Sequence, residues 1–191
     1  LLFSDINRLK IISSNVGQLQ IIYSGKAHPN DLKGKEIIKR IFNTKELLKD
    51  CIKVAFFENY DMEISKIITS GCDVWLNTPE PPLEASGTSG MKAAVNGIPS
   101  LSILDGWWIE GHIEGVTGWS FGEITNNLEE KSNTLKDASH LFDKLENVVI
   151  PLYYENREQF IDIMRRSIVL NGSYFNTQRM LQEYVIKAYF N

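Results

Sequence analysis

Short apolar runs rich in β-branched and aromatic residues alternate with helical patterns along the first two thirds of the chain, and no other feature constrains the fold as strongly. A helical stretch near Asp5 to Ser13 precedes the run "QLQIIYSG", which reads as a strand. "DLKGKEIIKRIF" follows as a helix with Ile37, Ile38, Ile41 and Phe42 on one face. "IKVAFFEN" is the second strand, "DMEISKIITSG" a helix with Ile64, Ile67 and Ile68 aligned and Gly71 as its stop, and "CDVWLN" the third strand. A helix from Thr88 to Asn96 leads into "PSLSIL", a fourth strand. Strands separated by helices pair in parallel, because a parallel connection needs a crossover long enough to hold a helix. The expectation is one α/β domain built on a doubly wound parallel sheet, Rossmann-like, with ligands beyond the C-terminal ends of the strands.

The stretch "EPPLEASGTSGMKAAVNG", residues 80–97, falls at such an end. Pro79, Pro81 and Pro82 deny the chain both helix and ladder and force a loop after the third strand. Then "TSGMKAAVN" supplies a candidate N-cap, helix formers and Gly97 at the stop position. The first turn of a helix leaves N–H groups unpaired and carries partial positive charge, so an anion is stabilised there. Gly87 and Gly90 remove bulk where a phosphate would approach the backbone, while Ser86, Thr88 and Ser89 add hydroxyl donors. Lys92 follows Thr88 by one helical turn and shares its face. An ordinary capped helix with a solvated lysine is the alternative. A nucleotide-binding P-loop is excluded, since Met91 separates Gly90 from Lys92 and Ala93 stands where that motif needs a hydroxyl.

A length of 191 residues suffices for one well-buried core, and 43% apolar with 23% charged residues is the composition of an ordinary globular protein. The net charge of −4 and the lack of a basic cluster argue against nucleic acid as a partner. No apolar run approaches the length of about 20 residues that spans a bilayer, and no secretory leader opens the chain, so neither a membrane nor secretion is expected. Cys51 and Cys72 sit beside apolar runs and read as buried free thiols, which favours the cytoplasm. "NGS" at 171–173 then reads as a chance sequon. The opening Leu1, Leu2, Phe3, without an initiator methionine, suggests a piece of a longer polypeptide.

Beyond the fourth strand, "DGWWIEGHIEGVTGWSFGE" reads as an irregular, ordered loop region and "NNLEEKSN" as an exposed connection. The remainder, from about residue 136, is a helical tail: Leu141 to Val149, Phe160 to Val169, and a last helix with Met180, Leu181, Tyr184, Val185 and Ala188 on one stripe that reads as core. Lys26 and His28 lie in a loop at the ligand edge, as cleft contacts or as plain surface residues. Trp107 and Trp108 either wall a site or pack between domains. Glu110 and His112 lack a third ligand at a usable spacing, so no metal is expected.

"EASGTSGMKAAVNGIPSLSILDGWWIEG" resembles the cofactor-site signature of the α-glucan phosphorylases, the enzymes of glycogen and starch breakdown. "IIYSGKAHP" and "VAFFENYDMEISK" resemble the two preceding strand–loop segments of that family, in order and at the expected distances, so the likeness covers Leu1 to at least Glu123. It is closer to the shorter bacterial and archaeal branch. The resemblance implies the C-terminal half of a two-domain glycosyltransferase of the GT-B type, with the active site in the cleft facing an N-terminal half. It implies pyridoxal 5′-phosphate held as a Schiff base by Lys92, its phosphate met by Thr88, Ser89, Gly90 and Tyr60, and the reacting glucose held by Glu84, Ser86 and Gly87. Glu84 and Lys92 are thereby the residues tied to catalysis, Lys92 as an anchor rather than a base.

The activity implied is transfer of a glucosyl unit from an α-1,4-glucan to orthophosphate, giving α-D-glucose 1-phosphate with retained configuration. The cofactor's phosphate would exchange a proton with the substrate phosphate. Two departures stand out. Asp61 follows Tyr60 where the animal and plant branch has an arginine, and the family's further arginine and lysine for the two phosphates are expected just before Leu1. A chain lacking them should fold without catalysing, expose part of its last helix and tend to self-associate, with a homo-oligomer left open. The rival readings are a nucleotide-sugar glycosyltransferase of the glycogen or starch synthase kind, which needs no Schiff-base lysine, and an isolated sugar- or phosphate-binding module.

Overall fold

The computed structural model describes residues 1–122 and 133–190. The stretch 126–133 read above as an exposed connection lies, except for Asn133, outside the described residues. In chain order the elements are α1 (Ile6–Asn15), β1 (Gln20–Ser24), α2 (Leu32–Leu48), β2 (Lys53–Phe57), α3 (Met62–Gly71), β3 (Trp75–Asn77), α4 (Thr88–Val95), β4 (Ser100–Ile103), α5 (Trp108–Gly111) and β5 (Gly118–Phe121). Four helices follow: α6 (Thr134–Lys144), α7 (Ile150–Glu155), α8 (Arg157–Arg166) and α9 (Thr177–Tyr184), with π-helical turns at Leu145–Val149, Ser167–Gly172 and Val185–Tyr189. Two compact units divide the chain, one of Leu1–Ile68 with Ala138–Asn156 and one of Thr69–Asp137 with Arg157–Asn191.

In the first unit, β1 and β2 pair in parallel, Gln20 opposite Lys53 through Ser24 opposite Phe57. Helices α1 and α2 begin where a carboxylate can meet an orphan amide: Asp5 accepts from Arg8 N and Asp31 from Gly34 N. Arg8 is held in turn by Asp143 at 2.5 Å and Glu146 at 2.7 Å, and these charge-assisted bonds raise its already high pKa further. Leu9 and Ile12 of α1, Leu48 of α2 and Leu141 are buried. The faces expected for α2 and α3 are only partly right. Ile41 is buried with Thr44 and Leu48, but Ile37 is 61% exposed, Phe42 40% and Ile67 71%. The period of a helix sets which residues share a face, and neighbouring elements decide how much of that face is covered.

In the second unit, β3, β4 and β5 form a parallel sheet in that order, with Trp75 opposite Ser100 and Ser100 opposite Gly118. The α/β class and the parallel pairing are as expected, but the strands form a two-stranded and a three-stranded sheet where a single doubly wound sheet was expected. β3 keeps only Trp75–Asn77 of "CDVWLN", and Pro79, Pro81 and Pro82 beyond it have no N–H with which to extend a ladder. The region read as irregular loop contains α5 and β5. Gly118 explains why β5 can lie so close to β4, since a Cβ there would fall 2.2 Å from the Ser100 carbonyl oxygen. Leu101, Trp108, Trp119, Phe160 and Ile163 are buried in this unit, Trp119 stacking on Phe160 at 6.1 Å between ring centroids.

Two further expectations fail. The stripe on the last helix is not core: no residue of α9 is buried, and Met180, Leu181 and Tyr184 are 52%, 60% and 57% exposed. Its amphipathic pattern is real, but no described neighbour covers it. Cys51 is free but exposed, because it falls in the turn after α2 where its thiol meets the Leu48 carbonyl oxygen; Cys72, free and half-buried, has its thiol pushed up to about 11 by burial.

Candidate active site

The loop after β3 closes onto the start of α4, and that start differs from the expected one. Gly87, at φ +82°, is the N-cap, and Thr88 is the first helical residue, so no side chain caps the helix. A left-handed N-cap is open to glycine at little cost, and it turns the chain sharply enough to put Thr88, Ser89 and Gly90 in the first turn. Gly90 N reaches back to the Gly87 carbonyl at 3.1 Å. Among the described residues, the amides of Thr88 and Ser89 meet no acceptor. That leaves an eight-residue helix whose positive end faces outward at the C-terminal edge of β3.

Lys92 stands one turn further on and is exposed; its carbonyl oxygen accepts from Asn96 Nδ2 at 2.8 Å, leaving the ammonium on the helix surface. Gly90 is buried under the indole of Trp107, where a Cβ would lie 2.7 Å from Nε1. Trp107 is itself fixed, 5% exposed, with Trp108 at 5.1 Å and Phe175 edge-on at 5.2 Å and 88°. Both tryptophans pack inside the second unit, and Trp107 is the floor under the helix start. Burying one indole contributes several kcal/mol, on the order of 4 to 6 at about 25 cal/mol per Å².

Glu84 is held by its backbone. Its amide donates to Asp105 Oδ2 at 2.9 Å, while the other oxygen of Asp105 accepts from Gly106 N at 2.9 Å. One residue on, Trp107 N donates to the Ser86 carbonyl at 2.8 Å. The side chain of Glu84 lies between two glycines in left-handed conformation: a Cβ on Gly87 would sit 3.1 Å from its Oε1, and one on Gly106 3.0 Å from its Cγ. Asp105 went unmentioned in the sequence reading. Its signal was present, an acid directly after the apolar run of β4 and directly before a glycine, at the strand edge where ligands bind. An open cleft of about 840 Å³ begins at Ser86 and Thr88 and runs past Trp107, Glu110, Phe175 and Arg179.

A match to the family model for carbohydrate phosphorylases extends over residues 2–187. The chain belongs to the carbohydrate phosphorylase family. It is 45% identical over 190 residues to a maltodextrin phosphorylase of Thermococcus litoralis and 46% identical over 195 to a glycogen phosphorylase of Aquifex aeolicus. A glycogen phosphorylase of Mycobacterium tuberculosis is 35% identical over 195 residues. Each alignment covers 99% of this chain but only 23%, 28% and 22% of the relative, so the chain spans about a quarter of the length of the relatives it matches.

Of the residues singled out in the sequence, Glu84, Ser86, Gly87, Thr88, Ser89, Gly90 and Lys92 all lie on the one loop and helix start of the second unit. Tyr60 belongs to the first unit, half-buried after β2, with its hydroxyl donating to Ser65 Oγ at 2.8 Å. Asn59 before it takes φ +56°, a conformation asparagine tolerates better than most residues. Asp61, the departure from the animal and plant pattern, caps α3 by accepting from Ile64 N at 2.9 Å. Lys26 and His28 are exposed, and His28 Nδ1 accepts from Asn30 N at 3.2 Å, the behaviour of a turn residue. His112 Nε2 pairs with Glu114 at 2.9 Å and packs against Trp108.

Proposed function

We propose that this chain belongs to the catalytic half of an α-1,4-glucan phosphorylase that takes pyridoxal 5′-phosphate and works with an N-terminal half supplying the other wall of the cleft. The observation that carries the reading is the outward-facing, uncapped start of α4 with Lys92 one turn along it, next to a carboxylate loop held by main-chain bonds, in a member of this family. This donor set fits the cofactor: amides and hydroxyls of Thr88 and Ser89 for a dianionic phosphate, and a primary amine to hold the aldehyde. When bound, the cofactor supplies a phosphate group able to exchange a proton with the substrate phosphate.

The chain's own residues then bind and orient. Glu84, with Ser86 and Gly87, would accept from and donate to the hydroxyls of the reacting glucose. Free rotation of the sugar is thereby removed, and its C1 is held against orthophosphate. Orthophosphate gives its proton to the glycosidic oxygen, the bond from C1 to that oxygen breaks, and a phosphate oxygen bonds to C1 on the same face. Water must be excluded from the glucosyl cation, a role for the cleft walls. The relatives, a maltodextrin phosphorylase and a glycogen phosphorylase, bracket the glucan class without choosing within it. Free thiols at Cys51 and Cys72 accord with a reducing, cytoplasmic setting.

The test is phosphate release from glucose 1-phosphate with a maltooligosaccharide primer, by the full-length enzyme loaded with cofactor. Primer-dependent release supports the reading. Transfer from a nucleotide sugar with no release from glucose 1-phosphate would replace it with a synthase-type activity.

A further inference from the structure

We propose that Asp105 is a positioning residue that sets the aim of Glu84, so that sugar recognition by this loop is built from the end of β4 as well as from the loop itself. The inference rests on the reading above, in which Glu84 meets the glucose. Asp105 is 6% exposed, and a buried carboxylate is stable only when its oxygens are satisfied. Both are: Oδ2 accepts from the Glu84 amide and Oδ1 from the Gly106 amide, each at 2.9 Å. The carboxylate therefore ties the backbone of residue 84 to the turn that follows β4, at the edge where parallel sheets present ligands.

The turn that Asp105 opens does the rest. Gly106, at φ +53°, passes so close to the loop that a Cβ would lie 2.7 Å from the Ser86 carbonyl oxygen and 3.0 Å from Glu84 Cγ. Trp107 then donates to that same carbonyl and lays its indole beneath Gly90. Three consecutive residues thus grip Glu84 by its amide, Ser86 by its carbonyl and the helix start by its underside. Charge-assisted bonds of this kind are short and directional, which suits a role in fixing a carboxylate's position. Glu84 itself is half-buried on an otherwise irregular loop, and a carboxylate misplaced by about 1 Å can lose about 100-fold in rate.

A double-mutant cycle in the full-length enzyme decides the matter, using Asp105→Asn, Glu84→Ala and the pair. Asparagine keeps the volume but turns one acceptor into a donor, so it cannot satisfy both amides. Asp105→Asn should lower kcat/KM for glucose 1-phosphate by about 10- to 100-fold with cofactor content unchanged. In the Glu84→Ala background the same change should add no more than about twofold, because its effect runs through the missing side chain. Discrimination against a glucosyl phosphate lacking one hydroxyl should fall in Asp105→Asn as it does in Glu84→Ala. Should Asp105→Asn not accumulate as folded protein, Gly106→Ala presses on the same contact from the other side and should show the same non-additivity. A full, multiplicative loss in both backgrounds, or cofactor lost in proportion to activity, overturns the role of Asp105 while leaving Glu84 in place. If Glu84→Ala leaves glucose 1-phosphate use intact, the sugar role of Glu84 fails, and the proposal with it.

Discussion

Replacing Gly90 by alanine tests the floor of the site through the sign of a stability change. In an exposed helix, alanine is favoured over glycine by about 1 kcal/mol. Gly90 is buried in the first turn of α4, and a Cβ there would meet Trp107 Nε1 at 2.7 Å and Cε2 and Cζ2 at 3.0 Å. The indole cannot retreat easily, since it also packs on Gly111 so closely that a Cβ there would lie 2.6 Å from its Cζ3, and Phe175 meets it edge-on. Overpacking of this kind costs about 1 to 3 kcal/mol, which outweighs the propensity gain and leaves Gly90→Ala destabilised by as much as about 2 kcal/mol. Gly71→Ala is the matched control. Nothing lies within 4 Å of a Cβ at Gly71, at the end of α3, so that change should be neutral or stabilise by up to about 1 kcal/mol. Gly118→Ala marks the other extreme, because the obstructing atom is the Ser100 carbonyl at 2.2 Å and relief would part β4 from β5; more than about 3 kcal/mol is expected. All four tryptophans, Trp75, Trp107, Trp108 and Trp119, lie in the second unit, so urea unfolding of the 191-residue chain followed by tryptophan fluorescence reads the part in question. A Gly90→Ala chain as stable as Gly71→Ala would show that Trp107 does not underlie the start of α4.

Other outcomes follow from the same geometry. Glu84→Ala in the full-length enzyme should cut use of glucose 1-phosphate severely with near-normal cofactor content, and proportional loss of both would make Glu84 a structural residue. At pH 8 an alkylating reagent should modify exposed Cys51 well before Cys72, and Cys72 should gain reactivity as the pH climbs toward about 11, where burial has moved its thiol; equal rates at pH 8 would contradict its burial. The 191-residue chain alone should release no phosphate from glucose 1-phosphate, and turnover without an N-terminal half would show that the cleft has a single wall.

The start of α4 was legible because each of its devices leaves a trace in sequence: prolines that end a strand, glycines that bare a backbone, a lysine one turn on. What the sequence concealed was who supports that start. Thr88 looks like the cap, yet the turn is taken by Gly87, since a left-handed N-cap brings the loop back toward Asp105 and Trp107. Strand β5 was missed because "GWSF" offers too few residues for alternation, and its place beside β4 depends on the absent side chain of Gly118, a contact between segments far apart in the chain. The stripe of Met180, Leu181 and Tyr184 showed its period correctly, but burial depends on a neighbour and not on a period.

The central claim, that α4 and Lys92 hold pyridoxal phosphate, is tested most directly by borohydride reduction of the cofactor-loaded full-length enzyme followed by peptide mapping. A pyridoxyl group fixed on Lys92, and lost in Lys92→Ala, is the predicted result. A label on another lysine, or none in an enzyme that is active, would contradict it.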